Sequence, residues 1–310
     1  MSMMRMKSQW VTNSFFNKFS SYLKIPGHNG PVYSIAEDPD FIYSASSDKF
    51  VARWSKKTGV QDKFLIKLPS APFAICLIDD NSKLVVGLES GILILFDIEK
   101  KIEMAQWRDH NYSIFSICEN KLTHQFYSSD GNGNVNVWDT ASLKLLLNIP
   151  TNAGKIRRIV LTKDSSSMVL CCQDGTLKLL DCTYFNETAT FGNHTLGATS
   201  FCELSDEIVV SGGKDAQLVL WNAKTFESVF MFPAHRYVIY DMLSLLDGQL
   251  LVTASRDKSI KIWDTKTWTL IQKIEAKQGG HRFSVNALMK QNEHSFVSCS
   301  DDNSIICWSC

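Results

Sequence analysis

Apolar and polar residues alternate in short runs along nearly the whole chain. In Ser259-Ile-Lys-Ile-Trp263 the isoleucines alternate with Ser259 and Lys261, the period of a half-buried strand. Around this run lie His235-Arg-Tyr-Val-Ile-Tyr-Asp-Met242, Gln249-Leu-Leu-Val-Thr-Ala-Ser255 and Trp268-Thr-Leu-Ile-Gln-Lys-Ile274. All four runs are rich in β-branched and aromatic residues. Asp247-Gly248, Arg256-Asp257 and Asp264-Thr-Lys-Thr267 mark the turns between them. No run has a helical apolar period long enough to carry the chain between parallel strands. The four runs therefore predict one antiparallel meander.

That unit recurs seven times. Its end is plainest at Asp48-Lys-Phe-Val-Ala-Arg-Trp54, Asp215-Ala-Gln-Leu-Val-Leu-Trp221, Asp257-Lys-Ser-Ile-Lys-Ile-Trp263 and Asp302-Asn-Ser-Ile-Ile-Cys-Trp308, with weaker copies ending at Phe96, Trp138 and Leu180. Successive ends lie 42, 42, 42, 41, 42 and 45 residues apart. A repeat of this size ending in Trp-Asp is the signature of a propeller blade. The prediction is an all-β, seven-bladed β-propeller of four-stranded antiparallel blades. Each blade has two apolar faces, and only stacking in a closed ring buries both. The last unit ends at Trp308-Ser-Cys310, short of a fourth strand. Ser21-Tyr-Leu-Lys-Ile25 precedes Gly27-His28 as Ser228-Val-Phe-Met-Phe232 precedes His235. The N-terminal segment is thus expected to supply the missing outer strand and close the ring.

With these residues in view, the chain resembles the WD-repeat β-propellers over residues 21–310. A His opens most units, an Asp lies six residues before the Trp, and a small hydroxyl often lies eight before it. In the family these side chains form a hydrogen-bonded chain inside the blade. The resemblance carries that role to His28, Ser46, Asp48 and Trp54, to His235, Ser255, Asp257 and Trp263, and to His281, Ser300, Asp302 and Trp308. A buried carboxylate must be paired or bear its desolvation, and a complete network avoids that cost. The third unit reads Asn132 where the Asp is expected. The fifth has Gly213 for the hydroxyl, and the fourth has Cys172, Asp174 and Leu180. The second has Leu88, Ser90 and Phe96 with no opening His. Units two and four are expected to rely on apolar packing and to be the softer ones.

Composition narrows the partners. With 32 basic and 32 acidic residues the formal charge is zero, so no global attraction draws the chain to nucleic acid or an anionic membrane. Nine cysteines, most within strand-like runs, suggest reduced buried thiols and a cytoplasmic protein, with a nuclear or organellar place left open. No apolar run approaches the ~20 residues of a membrane span. The N-terminus lacks a secretory pattern. Arg5, Lys7, Lys18, Lys24 and several serines resemble a transit peptide, although such peptides are Arg-rich and this segment is mainly Lys. Residues 1–20 read as an extension. Within 8–23, Trp10, Val11, Phe15, Phe19 and Leu23 suit a short amphipathic helix packed on the propeller, or a membrane- or partner-binding tail. The end of that helix competes with the closing strand.

No cofactor, metal site or catalytic residue is expected. His28, His110, His194, His235 and His281 open five different units, too far apart to converge at about 2 Å on one ion. Cys307-Trp-Ser-Cys310 lies on a strand, not at the helix N-terminus that lowers a redox thiol's pKa. Asp130-Gly-Asn-Gly-Asn134 begins like a calcium loop, but the sixth position is Val135 and the twelfth Ala141. It reads as a turn.

One constellation remains. By resemblance, partners dock on the narrow face of the ring. The positions presented there lie three and five after the opening His and one before the motif Asp. Carried over, these include Tyr33, Phe115, Lys155, Arg157, Lys214, Tyr240 and Arg256, with Glu89 and Asp301 as the acids. In the second unit they fall on Pro72 and Ala74, taking Phe73 as the apolar marker. Cations gather on units four to six beside Phe115 and Tyr240, with Tyr33 across the ring. Aromatics and Arg are common binding anchors, and a cationic rim suits carboxylates or phosphates. The expected function is a non-enzymatic scaffold, a monomeric propeller within a larger complex, binding an acidic or phosphorylated peptide here. The alternatives are a propeller-based enzyme and a nucleic-acid-associated subunit. No sustained heptads precede residue 21, unlike a G-protein β subunit. Trp263-Asp-Thr is followed by Lys266 and Trp138-Asp-Thr by Ala141, so the Trp-Asp-x-Arg of ubiquitin-ligase receptors is missing.

Overall fold

The computed structural model describes residues 17–310. Seven four-stranded antiparallel sheets stand in a ring, and the inner strand of each packs against the inner strands of both neighbours. Blade one holds Val32–Glu37, Phe41–Ser46, Phe50–Ser55 and Gln61–Lys67, from the channel outwards. The inner strands of blades two to seven are Pro72–Ile78, Ile114–Asn120, Ile156–Leu161, Ala198–Glu203, Ile239–Leu245 and Val285–Asn292. The middle strands are almost wholly buried, as in Leu250–Ser255, whereas outer strands such as Leu145–Pro150 face solvent along most of their length. The core therefore lies between blades, as seven apolar layers.

The ring closes through the N-terminal segment. Ser20–Pro26 pairs antiparallel with Ser304–Ser309, with Leu23 opposite Cys307 and Ile25 opposite Ile305. Ile25 is fully buried in the layer between blades seven and one. Phe19 packs on Phe296, with ring centroids 5.4 Å apart, in the layer between blades six and seven. Its backbone is gripped by one side chain of blade six. The Phe19 amide donates to Gln272 Oε1 at 2.9 Å, and Gln272 Nε2 donates to the Phe19 carbonyl at 2.8 Å. Ser20 to Leu23 are thus extended strand rather than the end of a helix. Trp10, Val11 and Phe15, the rest of that expected helix, lie outside the described residues.

Five blades share one polar chain, and it corrects the sequence reading. In blade one, His28 Nδ1 meets Asp48 Oδ2 at 2.9 Å and His28 Nε2 meets Ser44 Oγ at 2.7 Å; Trp54 Nε1 donates to the same Ser44 oxygen at 2.7 Å. The linking hydroxyl is Ser44, not Ser46. In blade six it is Thr253, not Ser255, and in blade seven Ser298, not Ser300. Ser46, Ser255 and Ser300 instead accept the amides of Asp48, Asp257 and Asp302 and shape the turn. Blade five is complete through Ser211 despite Gly213. Blade three is complete through Ser128, with Asp130 on His110 at 2.9 Å. Its acid lies two residues before the expected Asn132.

Donor chemistry orders the chain. A carboxylate only accepts, so the His donates from Nδ1 and leaves Nε2 to accept from the hydroxyl. That hydroxyl then offers its lone pair to the indole N–H. Burial alone would push the Asp257 carboxyl up; the bonds from His235, Ser259 and the Arg236 amide outweigh it and hold the group well below the usual range. Gly27 is fixed by the same packing, since a Cβ there would lie 2.1 Å from the Trp54 ring.

Removing residues 1–26 exposes the edge of Ser304–Ser309 and takes Phe19 and Ile25 out of two apolar layers. The melting temperature should fall by about 10 °C or more, measured by differential scanning calorimetry; an unchanged value would show that the ring closes without this strand. Thr253→Val keeps shape but strands the Trp263 indole N–H and His235 Nε2. It should cost ~1–3 kcal/mol in urea denaturation, and a midpoint equal to wild type would remove Thr253 from the chain.

Candidate ligand-binding face at the channel mouth

Each inner strand carries an irregularity at the same place, and that of blade seven has a second further along. Pairing with the second strand steps from Val32 to Ser34 in blade one, from Pro72 to Ala74 in blade two, and so on to Val285 and Ala287 in blade seven. The residue passed over is a β-bulge residue, unpaired in the ladder and free to aim its side chain elsewhere. Around the ring these residues are Tyr33, Phe73, Phe115, Arg157, Thr199, Tyr240 and Asn286. All seven line one cavity of about 470 Å³ at the mouth of the channel. This corrects blade two: Phe73, not Pro72 or Ala74, is the presented residue, while Pro72 and Ala74 are buried.

The aromatic members form a row. Tyr33 meets Phe73 edge-on, with centroids 5.2 Å apart, and Phe73 stacks on Phe115 at 5.5 Å. Lys155 Nζ lies 4.1 Å from the Phe115 centroid. The Arg157 guanidinium stands between Phe115 and Tyr240, 5.6 and 5.4 Å from their centroids. Cation–π attraction holds both cations at the mouth without consuming their N–H donors. A second cavity, of about 380 Å³, adjoins the first and shares Arg157, Thr199 and Tyr240 with it; Lys155, Gln173, Lys214 and Arg256 are its other polar lining residues, beside Ala198 and Val238. The structure thus gathers all seven expected contact residues around two adjoining hollows.

Among the described residues, Lys155, Arg157, Lys214 and Arg256 make no ion pair. Burial, then the charges of Arg157 and Lys214, push the Lys155 amine below its ordinary value. Burial does the same to Arg157. A bound anion would relieve the mutual repulsion. Thr199 and Asn286 are already engaged: Thr199 donates to the Ile239 carbonyl, and Asn286 Nδ2 donates to the Val32 carbonyl and to Asp301 Oδ1.

One residue deeper, polar side chains join three pairs of neighbouring blades. Ser34 Oγ accepts the Ile75 amide at 3.2 Å, and Ser116 Oγ accepts the Ile159 amide at 3.0 Å. Asp241 Oδ2 accepts the Leu288 amide at 2.9 Å and the Arg158 guanidinium at 3.1 Å. Burial raises the Asp241 carboxyl, and Arg158 opposes this. Asp241 Oδ1 also takes the Met242 amide at 2.9 Å, the donor that Ser200 would use by analogy. Ser200 Oγ is left as the one buried side-chain polar atom without a partner among the described residues. Sequence reading missed Arg158, Asp241 and Phe283 as channel residues. Phe283 lies two after His281, a position that the repeat does not mark.

With this geometry in hand, comparison with known proteins is direct. The family model "WD domain, G-beta repeat" matches residues 19–55, 226–264 and 271–309. In these three stretches the chain carries WD repeats. The matched stretches take in the closing strand and parts of blades one, five, six and seven, where the His–Asp–hydroxyl–Trp chain is complete. Coronin-2A of Bos taurus is 30% identical over 126 residues, 36% of this chain and 24% of its own length. WD repeat-containing protein 55 of Mus musculus is 21% identical over 231 residues, 74% of this chain and 60% of its own. Kinesin-like protein KIF21B of Mus musculus is 20% identical over 306 residues, 89% of this chain but 18% of its own. The chain thus spans less than two thirds of each of these relatives. Within the described residues no helix is long and apolar enough to cross a membrane, and no group of His, Cys, Asp or Glu side chains could hold a metal ion.

Ser200→Ala removes an orphaned buried hydroxyl and should stabilise the propeller by up to ~1 kcal/mol in urea denaturation, whereas Ser116→Ala strands the Ile159 amide and should cost ~1–3 kcal/mol. Equal losses in the two variants would mean that Ser200 has a partner in solution.

Proposed function

We propose that this WD-repeat propeller is a non-enzymatic protein-interaction module, and that its channel mouth takes a peptide segment carrying a phosphate or carboxylate cluster. The observation that carries this reading is the set of four cations without ion-pair partners among the described residues, two of them pinned on aromatic rings, around adjoining hollows. Surface cations are commonly neutralised or solvated one by one. Here the guanidinium is held with its planar donor fork already fixed, so less entropy is lost on binding an oxyanion. Phosphate oxygens accept several such bonds at once, and a phosphoserine brings roughly two negative charges. The neighbouring aromatic hollow offers apolar contact to the residue beside it. An exposed amphipathic mouth of this kind is the usual anatomy of a binding hot spot. The relatives named above lend the class of function only.

The test is fluorescence anisotropy with peptides of fixed central phosphoserine and randomised flanks, beside their unphosphorylated counterparts. Wild type should bind the phosphorylated set, more weakly as salt is raised. Arg157→Glu with Arg256→Glu should reduce affinity by ~30-fold or more, about 2 kcal/mol, with the melting temperature kept. Binding that survives this double substitution would overturn the reading.

A further inference from the structure

The channel mouth is electrically divided. The cations stand on blades four, five and six. In the remaining part of the ring, the position that Arg256 holds in blade six is Asp301 in the neighbouring blade seven and Glu89 in blade two, where Ser90 replaces the motif Asp. Asp301 lines the aromatic cavity beside Tyr33 and Phe283, and Asn286 Nδ2 holds its Oδ1 at 2.8 Å. Neither acid forms an ion pair among the described residues. Lys258 lies 5.3 Å from the Phe283 centroid, engaged by that ring and not by Asp301. Tyr33 sits where the two fields meet: burial first, then the carboxylates of Asp301 and Glu89, raise its phenol, while Arg157 lowers it.

Resting on the function proposed above, we infer that the site reads a bipolar segment, with its anionic residue at Lys155, Arg157, Lys214 and Arg256, an apolar side chain in the aromatic cavity, and a basic residue at Asp301 and Glu89. The aromatic row sets the spacing. From the Tyr33 ring through Phe73 and Phe115 to Lys155 Nζ the distance is less than about 15 Å, the reach of about four or five extended residues at ~3.3 Å each. A uniformly acidic peptide would lay its far end against Asp301 and Glu89 and be repelled. The acids therefore discriminate among anionic segments that the cations alone would accept. They also orient the chain across the mouth, since the reversed segment sets like charge against like at both ends.

The experiment selects from an oriented phosphoserine peptide library on immobilised wild-type propeller. Selected sequences are then synthesised with Arg, Ala or Glu at the position about four or five residues from the phosphate. The Arg peptide should bind ~5- to 10-fold tighter than the Ala peptide and the Glu peptide weaker still. Asp301→Asn keeps an oxygen to accept from Asn286. With Glu89→Gln it should erase the Arg-over-Ala preference while leaving affinity for the Ala peptide within ~2-fold. Phosphate-dependent binding with no basic preference overturns the bipolar reading and leaves the proposed function standing. A preference that persists in the double variant overturns the assignment to Asp301 and Glu89. Absence of binding by the phosphorylated peptides and by counterparts with an Asp-Glu cluster in place of the phosphoserine overturns both.

Discussion

Closure of the ring is the constraint on which the other features rest. A blade on its own exposes two apolar faces, and seven blades in an open arc still expose the first and the last. The hydrogen bonds between Ser20–Pro26 and Ser304–Ser309 remove that last pair of faces. They tie residues nearly three hundred positions apart, so the entropy of bringing the ends together is met once for the whole molecule. Ile25 and Phe19 then fill layers on opposite sides of the seventh blade. Only with the circle complete do seven inner strands converge, and only their convergence creates a mouth lined by one residue from each.

Within a blade, the buried His–Asp pair does for local structure what closure does for the ring. It joins the loop before the inner strand to the turn after the second strand, and the hydroxyl extends the link to the Trp of the third. Blades two and four lack the His. In blade four, Asp174 accepts from the amide and hydroxyl of Thr176 within its own turn. In blade two, Leu84, Leu88 and Phe96 pack into the layer shared with blade one. The same architecture is thus held by directional bonds in five sectors and by apolar contact in two.

The period and the Trp-Asp endings made the architecture legible before any coordinates, and the spare strand at the front of the chain followed from the deficit at its back. Finer assignments failed where strand geometry is degenerate. Hydroxyls eight and ten residues before the Trp lie on one face, because side chains alternate with a period of two. Ser46 and Ser44 were therefore equally placed, and three matching hydroxyls at the nearer offset drew the choice. The farther offset holds a hydroxyl in all five Trp-bearing blades: Ser44, Ser128, Ser211, Thr253 and Ser298. Asp130 is hidden because it stands eight residues before the Trp, where blades one, six and seven carry a hydroxyl, although the turn after it is as long as theirs. Phe73 reads as the apolar marker of its strand because no His fixes the register of blade two. The expected contact residues of the other blades could be placed by counting from the His, yet the stacking of Phe73 on Phe115 and the pinning of Arg157 depend on neighbours from separate repeats.

The bulge in each inner strand has a consequence for how such a surface changes over time. A residue in a regular ladder faces a core on one side or a neighbour across the strand, and its replacement is judged by packing. The bulged residue belongs to neither face of its sheet. Tyr, Phe, Arg, Thr and Asn all occupy it around this one ring, although they share neither volume, charge nor strand propensity. Mutation at the five of these points that bond to no neighbouring blade, Tyr33, Phe73, Phe115, Arg157 and Tyr240, therefore alters what the mouth recognises with little penalty to the blades beneath, whereas Thr199 and Asn286 also tie blade to blade. In those five blades the propeller separates the positions that keep it folded from those that can drift toward a new ligand.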